Sequence, residues 1–243
     1  LTELKHINYR PDIDGLRTVA ISLVVIFHAW PYFMTGGFIG VDIFFTISGY
    51  LISRIIIKQT LQNKFSYTDF YSRRIKRIYP ALIVVLVFVF IVAVNKLMEK
   101  HFKIISKIMA ASTVFAANLN LNAERDYFDP DIQTNPLLHL WSLGVEEQFY
   151  IFWPLLLTVI FNKFSKQAFG FILAYTILSF MLSIYCVFND TQFAFYFPFC
   201  RFWQMSVGGL IGYLNIKVHN KFFSNLLSIV SFIAIMTTVW IIN

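Results

Sequence analysis

The sequence predicts an all-α fold: a polytopic bundle of transmembrane helices, seven or eight spans in one membrane-embedded domain covering 1–243, with no soluble domain. Three observations carry that prediction. The 243 residues are 58% hydrophobic and 14% charged, with a mean hydropathy of +0.65, where a soluble domain is about one-quarter charged. Apolar runs recur at the length of about 20 residues that crosses about 30 Å of hydrocarbon. Lys and Arg cluster in short segments between those runs, the pattern that orients spans in a membrane. The net charge of +7 belongs to these clusters, and no stretch resembles a nucleic-acid module, so no nucleic-acid partner is expected.

The first apolar run, 17–35, follows a polar segment and continues into further spans, so it reads as a retained helix and not a cleaved signal. It carries Arg17 at its start and His28 inside it. An ionisable group within such a run is costly and marks a candidate functional site. Eleven positions are about 1100° of helical rotation, within about 20° of whole turns, so the two share a face about 16 Å apart along the axis. They can grip two ends of one long, thin ligand or line one tunnel. The alternatives are Arg17 as a snorkelling anchor and His28 as a polar residue bonded within its own helix.

The second span, 38–57, opens with Gly36, Gly37, Gly40 and Asp42. Positions 28 and 42 are equidistant from Thr35, so a tight antiparallel hairpin sets His28 and Asp42 at similar depth. A carboxylate beside an imidazole fixes its tautomer and raises its basicity, as in a general-base pair. The alternative is that Asp42 caps the second helix. Gly36, Gly37, Gly40 and Gly49 permit close approach of helices or ligand.

The loop 58–77 holds Lys58, Lys64, Arg73, Arg74, Lys76 and Arg77, which assigns it, and with it the N-terminus, to the cytoplasmic side. Arg74 and Arg77, three apart, share a helix face and suit the phosphates of a nucleotide-bearing donor; the alternative is orientation charge with lipid head-group contacts. Span 78–95 follows. Segment 104–118 is apolar enough to span, yet Lys100, Lys103 and Lys107 crowd its start. As a full span it places the basic loops 162–167 and 217–221 outside, and the acidic loop with Glu124, Asp126, Asp129 and Asp131 inside. As an interfacial or re-entrant segment it reverses both, which the Lys/Arg count prefers.

The span 142–161 opens after His139 and carries Glu146, Glu147 and Gln148. Such groups are too costly to face lipid and are expected to line a polar cavity; the favourable helix dipole is the simpler account of the carboxylates. Spans 168–188, 201–216 and 222–242 complete the set. Cys186 and Cys200 form no metal or redox motif and read as two unrelated thiols, and no metal site is expected.

Five stretches, in order, resemble the integral-membrane acyltransferase-3 family of O-acetylases, which act on lipopolysaccharide O-antigens, peptidoglycan and exopolysaccharides: 9–18 (YRPDIDGLRT) with His28, 37–53 (GFIGVDIFFTISGYLIS), 71–83 (YSRRIKRIYPALI), 136–156 (PLLHLWSLGVEEQFYIFWPLL) and 200–213 (CRFWQMSVGGLIGY). The resemblance implies transfer of an acyl group, usually acetyl, from cytoplasmic acyl-CoA to a hydroxyl of a glycan or lipid-linked glycan outside, in the bacterial cytoplasmic (inner) membrane. Acetyl-CoA is then a donor substrate, and no tightly bound cofactor is implied. On that basis His28 matches the essential histidine, Arg17 its paired arginine, and Arg74 and Arg77 the cytoplasmic Arg-x-x-Arg motif. Asp42 is expected to hold the imidazole. Asp14, His139, Glu146, Glu147 and Arg201 lie in the matching stretches and are expected to line the cavity. Two departures stand out. Gln204 occupies a position where the family usually has Glu, and the chain carries fewer spans than family membrane domains usually do. It is therefore expected to be incomplete, with a partner supplying missing spans or an extracytoplasmic domain. The competing function classes are a proton-coupled transporter that uses His28, Asp42 and Glu146 as a relay, and an inactive or truncated membrane subunit.

Overall fold

A computed structural model describes residues 10–30, 32–123, 135–216, 218 and 220–242. Tyr9, the acidic residues Glu124, Asp126, Asp129 and Asp131, and Lys217 lie outside the described residues. Among those described, all regular structure is helical: α1 (Pro11–Ala29), a 3-10 turn (Thr35–Phe38), α2 (Ile39–Leu61), α3 (Tyr67–Lys96), α4 (Glu99–Thr113), α5 (Ala117–Ala123), α6 (Leu140–Lys163), a second 3-10 turn (Ser165–Gln167), α7 (Ala168–Asn189), α8 (Thr191–Tyr196), α9 (Pro198–Leu214) and α10 (Lys221–Ile241). Five helical segments are long and apolar enough to cross a membrane: Thr35–Leu61, α3, α6, Ser165–Asn189 and α10. The chain is a multi-pass membrane protein. α1 and α9, of 19 and 17 residues, reach about 28 and 25 Å and complete the seven clear segments expected.

Local chemistry sets the helix ends. Pro11 occupies the first turn of α1 with Asp12 and Asp14, where a missing N–H costs nothing and negative charge meets the positive end of the dipole. Arg10 also pairs with Asp12 at 2.6 Å and lowers its pKa, chiefly through that hydrogen bond. Ser66 caps α3, Asp190 caps α8 and Asn220 caps α10, each accepting a backbone N–H. Asn215 ends α9 in the left-handed conformation, φ 44°. The Ser66 cap starts α3 much earlier than the sequence suggests. The expected loop 58–77 is the last turn of α2, a short connection at 62–66 and the first turns of α3.

The core is built on α2, α6 and α9, which run parallel. Ser48 pairs with Glu146 and Ser53 with Trp153, while Gly49 abuts the Met205 backbone and Gly208 that of Thr46. A Cβ at either glycine would overlap the neighbouring carbonyl. Lipid gives helices little hydrophobic reason to associate, so such small-residue contacts carry the packing. Phe45, Ile52, Phe149, Trp153, Phe202 and Met205 fill the space between the three helices. α1 returns antiparallel to α2, with Gly37 against Leu23 and Gly40 against Ala20. α3 runs antiparallel to α6, with Tyr71 donating to the Ile151 carbonyl at 3.1 Å. The end of α10 closes on the hairpin turn, where Thr35 donates to the Ile242 carbonyl at 3.0 Å. Val84 and Phe88 of α3, Leu178 of α7 and Ile229 of α10 remain exposed, as lipid-facing positions should.

Segment 104–118 is not a straight span. α4 runs back along α3, bringing Phe102 to 6.1 Å from Phe90 and the Thr113 carbonyl to 2.8 Å from the Tyr79 hydroxyl. The helix then breaks at Phe115, φ 56°, and α5 turns away. Asn135 and Pro136 line the same groove as Ala93, Leu97 and His101, so the chain leaves at the end where it entered. Broken helix at membrane depth needs its freed groups satisfied by protein. The Gln148 side chain does this: its amide donates to the Phe115 carbonyl at 2.7 Å and to the Asn118 side chain at 2.9 Å. Segment 104–118 is therefore two helices that turn on each other, the shape expected of an interfacial or re-entrant segment. The α2–α3, α6–α7 and α9–α10 connections share one end of the bundle. The hairpin turn and the starts of α6 and α9 share the other.

Candidate functional site

His28 lies in the last turn of α1 and is exposed. Its Nδ1 is 2.8 Å from the Val24 carbonyl. A carbonyl only accepts, so Nδ1 carries the hydrogen and the neutral ring presents Nε2 as its basic nitrogen. Asp42 does not hold this ring, contrary to expectation. Its Oδ1 accepts from the Gln204 amide at 2.8 Å and lies 3.7 Å from the Arg201 guanidinium. The cause is the parallel contact of α2 with α9, which delivers Arg201 and Gln204 to Asp42, while the i−4 carbonyl within α1 is the nearer partner for the imidazole.

Arg201 is aimed at Asp42 from two supports. It donates to the Phe195 carbonyl at 3.1 Å, and its guanidinium sits 4.7 Å from the Phe195 ring centroid and 5.8 Å from that of Trp141. His139 stands on the turn before α6. Desolvation by the surrounding protein, then the charge of nearby His28, lower its pKa from the ordinary 6.5. Thus His28, Asp42, His139, Arg201 and Gln204 gather at one end of the bundle.

A second polar group lies deeper. Ser48 is six residues along α2 from Asp42, about 9 Å. Its hydroxyl donates to Glu146 Oε1 at 2.6 Å, and the Tyr150 hydroxyl donates to the same oxygen. The Arg74 guanidinium stacks 3.6 Å from the Tyr150 ring centroid and lies 4.0 Å from Glu147 Oε1. That carboxylate oxygen is buried and accepts no hydrogen bond. Burying a charge is costly unless it is paired, so Arg74 and Glu147 depend on each other. Arg74 is therefore part of the bundle interior, whereas Arg77, one turn on, is exposed.

Arg17 and His28 keep their shared face, because α1 is continuous from Pro11 to Ala29. The Arg17 Nε is buried with no hydrogen-bond partner, and the guanidinium lies 5.8 Å from the Phe44 ring centroid. Asp14 does not join either group: it is exposed in the first turn of α1, at the end away from His28. Sequence reasoning missed the Val24 carbonyl, Ser48, Tyr150 and the amide of Gln204. Tyr150 was detectable, one turn after Glu146 on the same face. Ser48 carries only the weak signal of a polar residue within an apolar run, and Gln204, marked in the sequence as a departure from the family's usual Glu, gave no sign that its partner is Asp42.

Residues 10–243 match the family described as an acyltransferase domain. The chain is similar to an uncharacterized protein of Haemophilus influenzae, 36% identical over 215 residues that cover 83% of this chain and 87% of that protein. It is also similar to the O-acetyltransferase OatA of Staphylococcus aureus, 32% identical over 214 residues that cover 85% of this chain and 35% of OatA. The match therefore spans about a third of the length of that named O-acetyltransferase. No solved structure matches.

Proposed function

This chain belongs to the acyltransferase domain family, and on that premise we propose that it moves an acyl group, most simply acetyl, from cytoplasmic acyl-CoA to a hydroxyl of a glycan or lipid-linked glycan on the outer side of the bacterial inner membrane. The observation that carries the proposal is His28, whose Nδ1 is committed to the Val24 carbonyl, leaving Nε2 to take a proton. A hydroxyl attacking a thioester must lose its proton, and a positioned imidazole supplies that step. In the alternative covalent route the same nitrogen attacks the thioester and carries the acyl group before the hydroxyl receives it. His139 supports the role: with its pKa lowered it stays neutral and does not oppose a proton arriving on His28. Asp42, held by Arg201 and Gln204, acts as a charged wall of the site and not as the orienter of the imidazole.

The orientation follows the basic connections. Those that share one end of the bundle carry Lys58, Lys64, Lys163, Lys166 and Lys221, which supports placing that end in the cytoplasm. The N-terminus is then cytoplasmic and His28 lies towards the outside. Arg77, exposed on α3, and Arg74 behind it suit the phosphates of the donor. Arg17, with its unpartnered Nε, lies between the two ends and steers the donor arm towards His28.

The test is transfer of labelled acetyl from acetyl-CoA to surface glycan by membranes containing the protein. His28→Ala is expected to abolish transfer while leaving membrane insertion and acetyl-CoA binding unchanged. Transfer at a near wild-type rate overturns the catalytic role of His28. Failure of the purified wild-type chain to bind acetyl-CoA favours the proton-coupled carrier.

A further inference from the structure

Cys186 and Cys200 were expected to be unrelated, and the structure brings them together. Cys186 sits in the last turn of α7 and Cys200 in the first turn of α9, both buried. They occupy one apolar cluster with Ala194, closed over by Phe193 and Phe197 of the intervening turn. α8 makes the approach: capped by Asp190 and followed by Pro198, it folds the fourteen-residue separation back on itself. Ser179 of α7 donates to the Phe199 carbonyl at 2.6 Å, which ties the start of α9 to the body of α7.

We propose that Cys186 and Cys200 form a disulfide that ties the end of α7 to the start of α9, a covalent modification site beside the proposed active site; it rests on the orientation proposed above. On the outer side, oxidising conditions favour the bond. The oxidant is a protein disulfide. A thiolate of the pair attacks it, forming a mixed disulfide and releasing one of the oxidant's sulfurs as a thiolate. The second cysteine then attacks the mixed disulfide and releases the other. Two protons and two electrons leave the pair, and the oxidant departs as a dithiol. Cys186 and Cys200 are 6% and 0% exposed, so the exchange belongs to folding, before Phe193 and Phe197 close the cluster. Once closed, the bond is shielded from reductants. Its consequence is positional. Arg201 follows Cys200 directly and, with Gln204, holds Asp42, so the crosslink pins the turn that carries the clamp.

The experiment is thiol trapping on the full chain. Membranes are alkylated, denatured and treated with a maleimide–polymer reagent, with and without prior reduction. Wild-type protein is expected to take no polymer unreduced and two after reduction, whereas Cys186→Ser and Cys200→Ser are each expected to take one polymer unreduced when denatured without prior alkylation. Two free thiols in unreduced, unalkylated wild-type protein overturn the disulfide. Orientation is read separately in the Cys186→Ser, Cys200→Ser background by outside labelling of Pro136→Cys in intact cells. Free thiols with outside labelling overturn the disulfide alone; free thiols with labelling only after permeabilisation overturn the orientation as well.

Discussion

At the residue scale, His28 and His139 face one end of the bundle, and their charges interact. Because the folded pKa of His139 lies below the ordinary 6.5, the unfolded chain takes up the proton first as pH falls. Stability is then full above the unfolded value and is lost on acidification below it. The melting temperature in detergent is expected to fall between about pH 7.5 and 5.5, and His139→Gln to flatten that dependence; an unchanged slope in the variant removes His139 as the cause. The two arginines of α3 should also separate. Arg77→Gln removes an exposed cation, so acetyl-CoA affinity is expected to drop by about 3- to 10-fold, with a loss that shrinks as salt rises and a smaller change in melting temperature than at Arg74. Arg74→Gln leaves Glu147 buried without its cation and is expected to lower the melting temperature as well. Titration calorimetry and thermal melts on the same preparations decide both.

At the element scale, two packing devices are open to test. α2 and α9 touch through glycines, and a Cβ at Gly49 would meet the Met205 backbone first. Gly49→Ala is expected to cost about 1–3 kcal/mol, the range for overpacking a closed core. Gly15→Ala, in α1 with nothing within 4 Å of the new Cβ, is expected to stabilise by about 0.4–1 kcal/mol through the unfolded chain. Equal effects at both positions contradict a backbone contact at Gly49. The re-entrant pair α4 and α5 depends on Gln148, whose amide meets the Phe115 carbonyl and Asn118. Gln148→Leu leaves buried groups unpaired and is expected to cost about 1–3 kcal/mol for each, read as a lower melting temperature.

At the scale of the whole molecule, the proposed orientation rests on α4 and α5. With α4 and α5 entering and leaving at one end, the three short basic connections fall together at the other, in agreement with the charge rule. Asn135 is buried and its side chain accepts the Leu137 N–H at 2.9 Å, so its exposed neighbour Pro136 is the better reporter. In a cysteine-free background, Pro136→Cys is expected to label from outside in intact cells and Lys166→Cys only after permeabilisation. The reverse pattern inverts the bundle and sets His28 on the cytoplasmic side.

Much of this was legible in the sequence, because membrane burial acts on composition. Hydrocarbon admits helices of a set length and penalises each polar group, so the spans, the glycine-rich hairpin and the candidate site residues Arg17, His28, Asp42 and Glu146 follow from apolar run length and the polar residues that interrupt it, while Arg201 followed from the family resemblance. Partnership does not follow, because it depends on which helices lie side by side. Equal distance from Thr35 suggested that Asp42 meets His28, but the glycine contact of α2 with α9 gives Asp42 to Gln204 and Arg201, and the local helix carbonyl takes His28. The break at Phe115 was equally hidden, since it is stable only where Gln148 of a distant helix satisfies it. The meeting of Cys186 and Cys200 in one cluster depends on a turn packed by Phe193 and Phe197. Sequence alone determined the class of fold and the identities of the polar residues; the tertiary structure decided their partners, because hydrogen bonds and ion pairs act over a few ångströms between segments whose separation along the chain says nothing about their distance in space.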